Sequence, residues 1–172
     1  EITATMTCAG NRRSEHSRVK KVGGVQWTAG PIGNARWGGV RLADVLQLAG
    51  LQEGAKHVWF ESIDQVKKDD RTFPFGASIP VKKSLEKTRL GNGTLLATSM
   101  NGRPLPPDHG YPIRTVVPGY VGARSVKWLG RIVVSDRPSP NHYVANAYKL
   151  VTNGDQDEWA AAQPIYKFPI NS

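Results

Sequence analysis

The chain has 172 residues, 39% hydrophobic and 22% charged, which fits about one globular domain and excludes a disordered chain. One cysteine excludes an intramolecular disulfide framework and any multi-cysteine zinc or iron–sulfur site. No apolar run is long enough to span a membrane, and the net charge of +9 favours anionic partners without choosing among nucleic acid, acidic membranes, phosphate-bearing cofactors and small oxyanions.

In chain order, Ile2 to Thr7 alternates branched and small residues and predicts a strand, with a turn at Cys8-Ala9-Gly10-Asn11. Arg12 to Lys21 is polar and basic. The chain is expected to be loop-like around Gly30-Pro31 and Gly38-Gly39. Leu42, Val45, Leu46 and Ala49 lie at helical spacing, and Gly50 is a stop signal. Val58 to Phe60 predicts a buried strand, Asp69-Asp70-Arg71 a polar loop, and Val81 to Lys87 a short helix after Pro80. Thr94 to Met100 predicts a strand that turns at Asn101-Gly102. The proline-rich stretch 103–119 reads as a rigid, irregular loop, Ile132 to Val134 as a strand, and the chain after Asp136 as an irregular tail. Short strands with few helices predict a mixed α+β domain. The chain opens on Glu1 without a signal-peptide pattern, which reads as a processed, truncated or partial sequence.

Cys8 stands beside a glycine turn with Arg12 and Arg13 close by. Nearby cations favour a thiolate, which can attack a substrate or bind a metal; the alternative is a buried structural cysteine. The forked guanidinium of Arg13 suits an oxyanion if a cleft shields it from water. Trp27 lines a pocket or belongs to the core. His109 and Arg114, five residues apart on the rigid loop, can grip a phosphate. Ser125, Val126 and Lys127 add a hydroxyl, backbone groups and a cation, while Asp64 alone carries little information. There is no His/His/carboxylate metal spacing, no serine-nucleophile elbow and no regular basic–aromatic interleaving, so nucleic acid is not an expected partner.

Five segments, TCAGNRR (7–13), ARWGGVRLADVL (35–46), FGASIP (75–80), NGRPLPPDHGYPIR (101–114) and VVPGYVGARSVKWLGRI (116–132), together resemble the molybdenum domain of the sulfite oxidase family, which includes assimilatory nitrate reductases. They occur in the family's order and cover most of residues 2–135. The resemblance implies a sulfite-oxidase-type molybdopterin-binding α+β fold with several short β-sheets. It implies a single domain over 1–172 without the family's N-terminal segment and C-terminal dimerisation domain. It also implies a molybdenum–molybdopterin cofactor. Cys8 matches the thiolate ligand of the metal, and Arg13 and Trp27 match residues of the oxyanion pocket. Asp64, His109, Arg114, Ser125, Val126 and Lys127 match residues holding the pterin and its phosphate. Two positions depart from the family pattern: Leu96-Ala97-Thr98 replaces a Leu-Ala-Tyr expected in the active site, and Gly23 replaces a basic residue.

The activity this implies is oxidation of sulfite to sulfate, with electrons passed to an external acceptor such as a cytochrome or oxygen. A homodimer is expected for a longer protein. The alternatives are reduction of nitrate or an S-oxide, a degenerate non-catalytic domain, and a basic binding module that would not need Cys8.

Overall fold

The computed structural model describes residues 1–86, 93–150 and 163–164. Strand β1 (Ile2–Thr7) pairs antiparallel with β2 (Ile32–Arg41), with Ile2 opposite Trp37 and Thr7 opposite Ile32. Between them lies α1 (Arg13–Val19), a short helix in the stretch expected only to be polar and basic. Strand β2 passes on to β7 (Leu95–Met100), which also pairs with β8 (Arg103–Pro104) and β9 (Arg114–Val116). A second sheet has the order β10 (Leu129–Ser135), β3 (His57–Ser62) and β6 (Gly76–Pro80). A separate hairpin joins β4 (Val66–Lys68) to β5 (Arg71–Phe73).

Alternation along β7 explains how the sheets share a core. Leu96 points to the cluster formed by Leu42, Leu46, Val58, Phe60, Ala77, Ile79 and Val126. Its neighbours Leu95 and Ala97 point to the opposite cluster, with Ile2, Ala4, Trp37 and Val116. Helix α2 (Leu42–Ala49) buries Leu42 and Leu46 at the predicted spacing and ends at Gly50, whose φ of 77° suits glycine.

Two expectations need correction. Gly38-Gly39 is not a loop: it lies inside β2, where the register shifts between the two glycines. A Cβ on Gly39 would overlap the Leu96 carbonyl, so the pair allows a close backbone crossing that local composition cannot reveal. Stretch 103–119 is not irregular throughout either, because Arg114–Val116 is a fully buried strand.

Helix α3 (Val81–Leu85) starts where expected; Lys87, the expected end of that helix, lies outside the described residues. After β10, α4 (His142–Ala145) precedes β11 (Lys149–Leu150), paired with β12 (Gln163–Pro164). No described helix is long and apolar enough to cross a membrane.

Candidate functional site

The end of β1 carries an exposed thiol. The Cys8 N–H donates to the Pro31 carbonyl at 2.9 Å, and its own carbonyl accepts from Asn11 N–H at 3.0 Å. These bonds fix the turn that aims the side chain outward. The Gly10 N–H then donates to Cys8 Sγ at 3.3 Å, which holds the sulfur over the turn. Cys8 is therefore not a buried structural cysteine.

The two arginines of TCAGNRR separate. Arg12 takes a left-handed conformation, φ 61°, and its guanidinium turns to Glu15, with Nε 2.8 Å from Oε2. That hydrogen bond raises the Arg12 pKa and lowers that of Glu15. Arg13 instead folds back over the turn and donates from Nη1 to the Val25 carbonyl at 2.8 Å. A Cβ on Gly10 would meet Trp27 Cδ1 at 2.8 Å and Arg13 Cζ at 3.0 Å. Cys8, Gly10, Arg13 and Trp27 thus share one rim. Trp27 is 47% exposed, so it belongs to this wall and not to the core.

Beside the rim lies a cleft of about 260 Å³, lined by Ser62, Asp64, Phe75, Arg114, Gly122, Ala123, Ser125, Lys127 and Trp128. Two observations place it against the end of β1. A Cβ on Gly122 would sit 3.1 Å from the Thr7 carbonyl oxygen, and Arg114 Nη2 lies 3.6 Å from Met6 Sδ. Four residues singled out from sequence, Asp64, Arg114, Ser125 and Lys127, meet here.

Arg114 is the anchor. It is 5% exposed and donates to the carbonyls of His109 at 2.9 Å, Ser125 at 3.0 Å and Thr115 at 3.3 Å. Its guanidinium also stands 4.9 Å over the Trp37 ring. Burial pushes its pKa down to about 10, so it stays charged at neutral pH. Ser125 Oγ accepts from Val117 N–H at 3.0 Å. Asp64 accepts from the Ser62 hydroxyl and from Phe75 N–H at 3.4 Å. Lys127 Nζ donates to the Asp108 carbonyl at 2.8 Å, and Trp128 Nε1 donates to Pro107 at 2.9 Å, pinning the turn 107–110.

Two other sequence candidates stand apart. The His109 ring is exposed and does not line the cleft; its carbonyl serves Arg114. Val126 is fully buried in the core, and both its backbone groups bond Thr115, N–H to Oγ1 at 2.6 Å and carbonyl to Thr115 N–H at 2.9 Å. It holds the segment down without forming part of the wall.

Tyr148 is a residue that sequence reasoning missed. Burial raises its phenol pKa; the charge of Cys8 adds to that, while Arg13 and Arg124 oppose it, so the ring lies within electrostatic reach of the rim. Position 98, where the resemblance leads one to expect a tyrosine, holds an exposed threonine on β7 that lines no cleft described here. The only sequence reading that reaches Tyr148 is that of the chain after Asp136 as an irregular tail. A second cleft, about 210 Å³, lies between α2 and α3 and contains none of these residues.

Residues 1–143 match the family described as oxidoreductase molybdopterin binding domain. Sulfite oxidase from Gallus gallus is 47% identical over 100% of this chain and 38% of its own length. A nitrate reductase [NADPH] from Fusarium oxysporum is 41% identical over 81% of this chain and 15% of its own. The crystal structure of the sulfane dehydrogenase SoxCD from Paracoccus pantotrophus aligns with a TM-score of 0.70 at 30% identity, covering 90% of this chain and 36% of that one. The chain spans about a third of the length of the sulfite oxidases it matches.

Proposed function

The chain belongs to the molybdopterin-binding oxidoreductase family, as a molybdenum domain of the sulfite oxidase type, and on that premise we propose that it oxidises sulfite to sulfate as one domain of a longer protein. The observation that carries this reading is the exposed Cys8 sulfur sharing one rim with Arg13 and Trp27, directly beside a cleft holding Arg114 and Lys127.

The donor set fits the cofactor. A soft thiolate suits molybdenum, and the cleft supplies two cations and a hydroxyl for an organic group that ends in phosphate. Cys8 would ligate the metal; Asp64, Arg114, Ser125 and Lys127 would hold the pterin and its phosphate. When bound, the cofactor supplies oxygen-atom transfer and takes up two electrons.

The protein's own groups bind and orient. Arg13 offers a cation to an oxyanion, its side chain already steadied by the Val25 carbonyl. Trp27 shapes the opposite wall. Tyr148, its pKa raised, keeps its phenol proton at neutral pH and can donate a hydrogen bond towards bound substrate. Arg114 and Val126 tie the 122–127 segment down so that Ser125 and Lys127 face the cleft. In balance, sulfite and water give sulfate, two protons and two electrons, and the electrons leave for an external acceptor such as a cytochrome or oxygen. A homodimer belongs to the longer protein in this reading.

Nitrate reduction, oxygen transfer in the reverse direction, is the second reading, favoured by the similarity to the nitrate reductase. Metal and pterin analysis followed by steady-state assays decides between them. Sulfite-dependent reduction of an artificial acceptor is the expected result. Intact cofactor with turnover on nitrate alone would overturn it, and folded protein that takes up neither metal nor pterin would indicate a degenerate domain.

A further inference from the structure

The β4–β5 hairpin is not used by the site described above. Asp64 and Phe75, just outside its two strands, both line the cleft, so the hairpin rises directly from the cleft's edge. Its strands pair only with each other among the described residues. The register sets Lys68 opposite Arg71 and Val66 opposite Phe73. These four side chains share one face, and Lys67 lies on the other. All three cations are exposed, and the acidic pair Asp69 and Asp70 is confined to the tip.

Behind the cationic face stands His142. Lys68 Nζ donates to His142 Nε2 at 2.9 Å, so the imidazole is neutral in this arrangement. Burial is the main cause that lowers the His142 pKa; Lys68 and Arg71 lower it further, and Asp69 opposes them. The neutral His142 adds no charge, so the hairpin's positive charge rests on the exposed Lys68 and Arg71 of this face and Lys67 of the other.

A file of rings leads inward from this face. Tyr143 lies 6.2 Å from Phe73, 5.2 Å from His142 and 4.6 Å from Phe75. On its other side it lies 6.0 Å from Tyr148, whose ring stands 5.9 Å from the Arg124 guanidinium, next in sequence to the cleft-lining Gly122 and Ala123. Phe75 lines the cleft, so neighbouring rings connect the hairpin to the cleft, and each pair falls within the range of ordinary aromatic contacts.

We propose that Lys67, Lys68 and Arg71 dock an acidic one-electron acceptor protein at the edge of the cleft, and that Phe73, Tyr143 and Tyr148 form the path by which electrons reach it. The inference rests on the oxidative reading of the site. Each sulfite oxidised, with oxygen supplied by water, releases two protons to solvent and two electrons. Two acceptor molecules are each reduced by one electron. Exposed cations steer an acidic partner and fix its orientation, and their effect fades with salt. Closely spaced π systems shorten each electron jump between the cleft and the docked surface.

The test uses the cofactor-loaded protein, an acidic c-type cytochrome and a basic one. Binding of each oxidised cytochrome is titrated calorimetrically. Sulfite-dependent turnover is measured with each, and with the small cation tris(bipyridine)cobalt(III). The combined variant Lys67→Glu, Lys68→Glu, Arg71→Glu is expected to bind the acidic cytochrome at least about tenfold more weakly. Its turnover with the cobalt complex should stay unchanged. The control Lys56→Glu with Lys82→Glu, at exposed positions off the hairpin, should keep wild-type binding. Tyr143→Leu should bind normally yet pass electrons to the cytochrome more slowly, with cobalt turnover and melting temperature retained, and Tyr143→Phe should restore the rate.

Unchanged binding of the acidic cytochrome to the charge-reversed variant, or tighter binding of the basic cytochrome by the wild type, overturns the docking surface. An unchanged cytochrome rate in Tyr143→Leu overturns the ring path. Wild-type protein that binds the acidic cytochrome but shows no sulfite-dependent turnover with the cobalt complex overturns the sulfite reading instead, while the binding titration still decides the docking surface.

Discussion

The cleft and the rim are built in opposite ways. The cleft is organised from within: Arg114, Ser125 and Thr115 are buried, and their polar groups bond one another and the backbone. The rim is organised from outside. Every residue from Lys21 to Gly30 is exposed, and Arg13 reaches that segment through one hydrogen bond to Val25. A buried polar network holds its geometry without a ligand because breaking it leaves unsatisfied groups in low dielectric. An exposed loop has no such restraint. The cleft, proposed to hold the cofactor, is therefore the rigid half, and the rim, proposed to face the substrate, is the one that small changes can displace.

The largest effect should come from the one group joining the two halves. Cys8→Ser replaces the soft donor with a hydroxyl. Turnover should fall by at least about a thousandfold, while pterin content and melting temperature stay near wild type. Loss of pterin along with activity would show that the halves do not separate as described.

Next comes the cleft itself. Arg114→Met removes a buried cation and leaves the His109 and Ser125 carbonyls without their donor. The expected cost is about 3 kcal/mol, lowering the melting temperature by roughly 10 °C. Pterin released from the purified variant should fall sharply. A variant that melts normally and retains pterin would refute the anchoring role.

The rim should respond differently. Gly10→Ala places a methyl against Trp27 Cδ1 and the Arg13 guanidinium; the exposed indole can turn and the guanidinium, the far end of a flexible chain, can move aside. Stability should change by less than about 1 kcal/mol, while the KM for sulfite rises roughly tenfold and pterin content is unchanged. An equal loss of stability and KM would erase the contrast between rim and cleft.

That contrast also governs what could be read from the sequence. Arg114, Ser125 and Lys127 were legible as a group because they lie in long motifs with distinctive residue runs, whereas Asp64 lies outside those segments and came only with the resemblance. Strand β1 and helix α2 were legible because their alternation and helical spacing are local. Gly38-Gly39 misled because a glycine pair marks a loop and a close strand crossing equally well, and only the distant Leu96 carbonyl separates the two. Val126 was legible as part of the motif but not in its orientation, since its backbone partners lie on Thr115 in another strand. Tyr148 was hidden because nothing in its surrounding residues records the partners it meets in the fold, Tyr143 and Arg124 among them. The β4–β5 hairpin was expected only as a polar loop, its short strands carrying little apolar alternation.

The smallest expected effect is that of pH, and it belongs to the elements framing the cleft. His57 lies on β3, the strand that brings Ser62 to the cleft, and His142 opens α4, which carries Tyr143 towards Tyr148. Burial lowers the pKa of both, and Lys68 and Arg71 add to the effect at His142. An unfolded chain would protonate both near the ordinary histidine value of about 6.5, whereas the folded chain resists. Both groups are neutral in both states well above that value, so neither then alters stability. As pH falls through it, the unfolded state binds more protons than the folded state and stability declines until the folded-state pKa values are passed. Melting temperature should therefore drop between about pH 7.5 and about pH 5.5, and His57→Gln should flatten the drop. Because His57 and His142 hold the cleft's frame, pterin retention should decline over the same interval, while the KM for sulfite of protein that keeps its cofactor changes less. A pH loss seen in KM alone would place the sensitivity in the rim and reverse the assignment of the rigid half.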